Sequence, residues 1–191
     1  KNYTLLPLIK TCARKKDLYM GIKLHEHIRR KKGLLETSIY LASCLISMYS
    51  KCGMLEKAHE VHKDIGNPNI FSWNALISAY TQHGHCKAAI ECFNSLRNRG
   101  LKPNADTYAN ILAACNHSGA LLEAHSFLKS MRDEEDIVLG IEHINSITDL
   151  LARLGLLNEA EKLLETMPVV AGIVGWRSLL ASCKTYGNPM L

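Results

Sequence analysis

WNALISAYTQHGHCKAAIECFNSL, residues 73–96, decides the fold. Counting outward from Gly84, Trp73, Leu76 and Tyr80 stand 11, 8 and 4 positions before it, and Ala89, Phe93 and Leu96 stand 5, 9 and 12 after it. Steps of three and four place each set on one side of an α-helix, with glycine as the break between two helices. The spacing recurs along the chain. Gly53, Gly84, Gly119, Gly155 and Gly187 are 31, 35, 36 and 32 residues apart, and Ala58, Ala89, Ala124 and Ala160 each follow a glycine by five. Counting back 37 from Gly53 reaches Lys16, with Gly21 as the small residue, so six registers align.

The columns around this anchor read as helix faces. Eight before it are Leu8, Leu45, Leu76, Ile111, Ile147 and Leu179; four before it are Cys12, Tyr49, Tyr80, Cys115, Leu151 and Cys183. At +9 come His25, His62, Phe93, Leu128 and Leu164, and at +12 Ile28, Ile65, Leu96, Met131 and Met167. Neither helix of such a pair buries its stripe alone, so the pairs must stack into an all-α solenoid. No useful stretch alternates with period two, and no sheet is expected.

Composition bounds the function. Of 191 residues 47% are hydrophobic, enough for a packed core, and 23 basic against 18 acidic residues leave a net charge of +5. That excess is compatible with a polyanionic partner without requiring one. Seven cysteines occur without a C-x-x-C pair, which favours free thiols in a reducing compartment. No apolar run approaches the ~20 residues of a membrane span. Lys1 at the start and a Gly187-Asn188 turn near the end suggest a fragment of a longer protein, without a visible transit peptide.

The glycine between the helices and the wandering period set the chain apart from tetratricopeptide repeats. With MYSKCGMLEKAHEV (48–61), FSWNALISAYTQHG (71–84) and AAIECFNSLRNRGLKPN (88–104), they resemble the pentatricopeptide repeat family. The resemblance is to its plant class of alternating long, short and standard motifs. TYANILAACNHSG (107–119), IEHINSITDLLARLGLLNEAEKLLETMP (141–168) and VGWRSLLASCKTYGN (174–188) resemble the last long and short motifs and the start of a C-terminal extension. The implied units are 2–38 (long), 39–69 (short), 70–104 (standard), 105–140 (long), 141–172 (short) and 173–191 (truncated extension). The implied architecture is a right-handed superhelix of helix–turn–helix repeats. The implied function is recognition of single-stranded RNA beside a cytidine edited to uridine in a chloroplast or mitochondrion.

The resemblance also assigns residues. Each repeat reads one base through its fifth and last residues, here Leu6/Ser38, Ser43/Asn69, Asn74/Asn104, Ala109/Gly140 and Asn145/Gly172. Ser43/Asn69 resembles an adenine-preferring pair and Asn74/Asn104 a pyrimidine-preferring pair that leans to cytidine. Asn145/Gly172 departs from the familiar combinations and carries a weak preference, and Leu6 and Ala109 offer no polar group. Tyr40 and Phe71 hold the second position, which clamps bases; stacking on a base and packing between helices are both open to them. Asp106 and Glu142 at that position would repel phosphate. Arg14, Lys51 and Arg153, two before the anchor, form a row suited to a phosphate backbone. The basic clusters of the second helices read as solvated surface.

No catalytic apparatus is expected. The H-x-E and P-C-x-x-C strings of a zinc deaminase do not occur, and any deaminase would lie outside this stretch. Cys12, Cys115 and Cys183 share a core column, His62 sits in another, and His83, His85 and Cys86 fill a tight turn without further ligands, so neither metal nor cofactor is implied. The other reading is a helical scaffold that recruits small organellar editing-factor proteins. Weak dimerisation is also open, through Trp176, Leu179 and Leu180 of the truncated motif.

Overall fold

The computed structural model describes residues 5–31, 33, 38, 40–133, 137–165, 175–177 and 179–181. These form ten helices: α1 Leu5–Lys15, α2 Leu18–Arg30, α3 Leu41–Lys51, α4 Leu55–Lys63, α5 Ile70–Gln82, α6 Cys86–Asn98, α7 Ala105–Ser118, α8 Leu121–Asp133, α9 Ile141–Arg153 and α10 Leu157–Glu165. Residues 175–177 and 179–181 are also helical, and the described residues contain no strand. No described helix is long and apolar enough to cross a membrane. The chain divides into two compact units, Lys1–Lys102 and Pro103–Leu191.

Each unit is built from antiparallel pairs whose first helices stack. In the first, α3 packs against both α1 and α5, while α2, α4 and α6 lie against their pair partners. In the second, α9 packs on α7 and pairs with α10. Gly53, Gly84, Gly119 and Gly155 break the pairs with φ between 72° and 77°. The left-handed turn lets the amide just past the glycine reach back, as Met54 N–H does to Tyr49 O and His85 N–H to Tyr80 O (2.8 and 2.9 Å). Lys16, reached only by counting, has φ 54° and closes the same turn, with Asp17 N–H on Cys12 O at 2.9 Å.

The columns fill the cores. Leu45, Leu76, Ile111, Ile147 and Leu179 are buried, as are Cys12, Tyr49, Cys115 and Leu151. Leu8 differs, at 51% exposed, because no described helix covers the outer side of α1. The small column has a steric cause: a Cβ on Gly21 would stand 2.5 Å from Met48 Sδ, and Met48 is fully buried in α3. In the second unit Leu179 is fully buried with Ile144, Ala160 and Leu164, and Trp176 packs against the same cluster. Leu180 alone of the three proposed dimer residues is exposed. Cys183, Met167 and Gly187 lie outside the described residues.

Candidate nucleic-acid interface

The first helices of the first two pairs leave a groove of about 790 Å³ between them. Lys10, Thr11, Ala13 and Arg14 of α1, Lys16 of the turn, and Ser43, Cys44, Ser47 and Lys51 of α3 line it. Four cations and no carboxylate therefore face one trough. Arg14 and Lys51 meet here because each sits two residues before its turn, and stacked helices bring equivalent positions side by side. Ser43 joins them from the first turn of α3. None of Lys10, Arg14, Lys16 and Lys51 has an ion-pair partner among the described residues. Unpaired cations crowded over a low-dielectric wall raise the local positive potential.

Tyr40 and Phe71 are 54% and 41% exposed. Their rings touch each other, with centroids 5.2 Å apart and planes tilted by 57°. A base between two rings needs about 7 Å, twice the van der Waals separation of stacked carbons. The pair is thus closed on itself, neither buried in a core nor parted.

The polar reading positions are partly committed to the backbone. Ser43 Oγ–H donates to Tyr40 O at 2.9 Å. Asn69 is the N-cap of α5, its Oδ1 accepting Ser72 N–H at 3.0 Å. Asn104 caps α7: Oδ1 accepts Thr107 N–H (3.0 Å) and Thr107 Oγ1–H (2.8 Å), and Asn104 N–H donates to Thr107 Oγ1 (3.1 Å). Asn74 is buried on α5. Asn145 is half-buried on α9, with an Oδ1 that is buried and unbonded. Gly172 lies outside the described residues.

Arg153 behaves differently from Lys51. Its Nη1–H donates to Asn116 O at 2.8 Å, at the carboxyl end of α7, and Asn116 Nδ2–H donates to Asp149 Oδ2 at 2.8 Å. That carbonyl also accepts Gly119 N–H at 3.2 Å, and the guanidinium is a second donor to it at the helix end. His83 does the same in the first unit, Nε2–H donating to Ser50 O at 2.9 Å. His85 stands edge-on to the Tyr80 ring. Among the described residues no three His, Cys, Asp or Glu side chains gather into a metal site.

A model of the PPR repeat family matches residues 68–117, and a PPR repeat model matches 41–67 and 143–169. The chain belongs to the pentatricopeptide repeat family. Two pentatricopeptide repeat-containing proteins of Arabidopsis thaliana are 35% and 31% identical to it over 184 and 187 residues, the second named as mitochondrial. The alignments cover 96% and 98% of this chain but 30% and 40% of those relatives. Among solved structures, the pentatricopeptide repeat protein PPR10 from maize superposes with a TM-score of 0.66 over 95% of this chain and 26% of its own, at 22% identity. PPR10 in complex with an 18-nt psaJ RNA element gives 0.66 at 21% identity, over 95% of this chain and 32% of its own. The PPR domain of Arabidopsis thaliana protein-only RNase P 1, in complex with tRNA, gives 0.62 at 14%, over 89% of this chain and 94% of that one. These likenesses establish the fold, a pentatricopeptide helical solenoid.

Several features of this pentatricopeptide chain escaped the sequence reading. Lys10 and Lys16 join the groove; Lys10 belongs to no basic column, since its counterparts are Ser47, Ser78, Ala113 and Asp149. Pairs of ring groups tie one repeat to the next: Tyr49 Oη with His25 Nδ1 (2.9 Å) and Tyr80 Oη with His59 Nδ1 (2.6 Å). Burial holds both imidazoles below and both phenols above their usual pKa, Tyr49 at about 12. His143 locks the second unit, its Nδ1 accepting Gly140 N–H and its Nε2–H donating to Ala105 O, both at 2.9 Å. The N-cap role of Asn69 and Asn104 had a signal, Asn three residues before Ser72 or Thr107 at the head of an apolar stripe.

Proposed function

We propose that the chain binds single-stranded RNA, about one base per repeat, as the target-recognition part of an organellar C-to-U editing factor. The observation that carries the reading is the acid-free groove holding Ser43, Arg14 and Lys51 together. Phosphates would run along the cations while bases turn toward Ser43, with Tyr40 and Phe71 offering a stacking face. The order of long, short and standard motifs supports the editing role and an organellar site.

Hydrogen-bond polarity supports the adenine preference of the second repeat. Ser43 Oγ–H is committed to Tyr40 O, so toward a base the hydroxyl accepts. Asn69 Oδ1 is committed to Ser72 N–H, so toward a base the amide donates through Nδ2. On the Watson–Crick edge adenine presents a donor beside an acceptor (amino group and ring nitrogen), as cytosine does, while guanine and uracil present the reverse, so the polarity favours adenine over guanine.

The test exploits the cap. Asp remains a good N-cap, so Asn69→Asp keeps the fold while replacing an outward donor by an acceptor. Fluorescence anisotropy on short RNAs with adenosine then cytidine opposite repeats two and three should show the parent chain losing affinity about tenfold when adenosine becomes guanosine, and Asn69→Asp reversing that order. An unchanged base order in the variant refutes the reading of Ser43/Asn69.

A scaffold role has its own observation. In the second unit a largely apolar groove of about 510 Å³ is lined by Leu128, Met131, Ile137, Val138, Ile147 and Leu163, with Lys129 and Arg132 beside them. Such a surface suits a small editing-factor protein. Capture of such a partner by a chain that binds no RNA at low salt would favour this reading.

A further inference from the structure

Glycine occupies the left-handed turn position at 53, 84, 119 and 155 for backbone reasons alone, since a Cβ built on any of them meets nothing within 4 Å. Lys16 occupies the equivalent turn at φ 54° and is the one non-glycine residue with positive φ among those described. An L-residue with a long side chain is disfavoured in that conformation, so the first turn is strained where the other four are relaxed. Local packing offers no compensation, because Lys16 is exposed. Nor does an ion pair: the neighbouring Asp17 is engaged as the N-cap of α2, accepting Met20 N–H at 3.0 Å. What the side chain does have is a place on the wall of the cationic groove, with Lys10, Arg14 and Lys51.

We propose that Lys16 is a phosphate-binding residue, kept at a glycine position for its charge, and that with Lys10 it completes a four-cation cradle for the backbone of a nucleic-acid single strand. The inference rests on reading the groove as an RNA site. Lys10 and Arg14 are four residues apart on α1 and so lie on one face of the helix, one above the other. Lys51 approaches from α3, and Lys16 closes the carboxyl end of the trough. The cradle reads charge, not sequence, so it fixes the strand while Ser43 and Asn69 discriminate. The corresponding trough of the second unit is not of this kind. Ala113 and His117 replace Lys10 and Arg14, Gly119 replaces Lys16, and Asp149 stands where Ser47 does.

The distinguishing experiment is Lys16→Gly in the full chain, because the two roles of the residue respond with opposite signs. Removing the strain should raise Tm by about 2–4 °C. Removing the charge should weaken binding about three- to tenfold and lower the slope of log K against log salt by about 0.7. Both effects on binding should be equal for the adenosine–cytidine RNA and for an oligouridine of the same length. Lys16→Arg should keep affinity and slope, and Lys10→Gln should lower both without raising Tm. Parent-like RNA binding by Lys16→Gly would overturn the proposal, and so would an unchanged Tm. If the parent chain binds neither RNA at low salt, the groove reading itself falls and takes the cradle with it. A parent that binds while Lys16→Gly matches it isolates the failure to Lys16.

Discussion

His62 is a base placed where it cannot easily take a proton. Its ring is 6% exposed and meets the Trp73 ring edge-on with centroids 4.2 Å apart. Both His62 Nε2 and Trp73 Nε1 are buried without a hydrogen-bond partner. Burial first, then the nearby His59 and Arg99, push the imidazole down to about 4. The sign follows from comparing states: an unfolded imidazole protonates near 6.5, the folded one only near 4, so between these values the unfolded chain binds more protons. Stability is fully present above pH 6.5 and falls as pH drops toward 4, by up to about 3 kcal/mol for this residue. His25 and His59 are shifted the same way and steepen the decline. His62→Phe keeps an aromatic edge against Trp73 and removes a buried nitrogen that bonds to nothing. It should gain about 1 kcal/mol at pH 7.5 and flatten the acid limb of a Tm–pH profile followed by circular dichroism. A variant as acid-sensitive as the parent would show that the imidazole is not the titrating group.

At the scale of elements, the contact of α2 with α3 sets a sharper test than propensity does. Alanine is the better helix former, so Gly21→Ala on an open helix would stabilise by up to about 1 kcal/mol. Here its Cβ would meet Met48 Sδ at 2.5 Å and Cε at 2.8 Å inside a filled core. The expected outcome is a loss of about 1–3 kcal/mol. On a Met48→Ala background, itself destabilised by the cavity it leaves, Gly21→Ala should lose most of its cost, and a double-mutant cycle in urea reads the coupling directly. Independent effects of the two substitutions would mean that the helices can separate at no cost. The same contact shows where sequence reading succeeds and stops. The small column was legible because Ala58, Ala89, Ala124 and Ala160 repeat it. Glycine's special place in the first repeat was not, since it depends on a methionine 27 residues later that no other repeat carries at the equivalent position. The turns were legible for the opposite reason: left-handed backbone demands glycine at every repeat, strongly enough to place Lys16 by counting alone. The His–Tyr ties between repeats pair different columns, His25 at +9 but His59 at +6, and so leave no periodic trace.

Across the whole molecule, equivalent positions have been put to different uses. Arg14, Lys51 and Arg153 form one column in the sequence, which reads there as a candidate row for phosphates. Only the first two enter the acid-free groove; Arg153 is held by the Asn116 carbonyl, next to Asp149. Arg153 donates to the carbonyl three residues before the turn of the preceding repeat, that of Asn116. The equivalent bond in the first unit, from the third repeat to Ser50 O of the second, is made by His83 and not by a cation of this column. A column of like residues therefore does not by itself define one surface, because a member of it can be held by a backbone carbonyl of the neighbouring repeat, as Arg153 is. This yields a double dissociation. Lys51→Gln should weaken RNA binding about three- to tenfold and reduce its salt dependence, with Tm unchanged. Arg153→Gln should lower Tm by a few degrees, the loss of about one hydrogen bond of ~1 kcal/mol, and leave RNA affinity and salt slope intact. Anisotropy titrations at two salt concentrations beside thermal melts of both variants decide it. A matching loss of affinity in Arg153→Gln would restore that residue to the phosphate row and extend the RNA path into the second unit. Parent-like affinity would confine the path to the first unit, where the charge is.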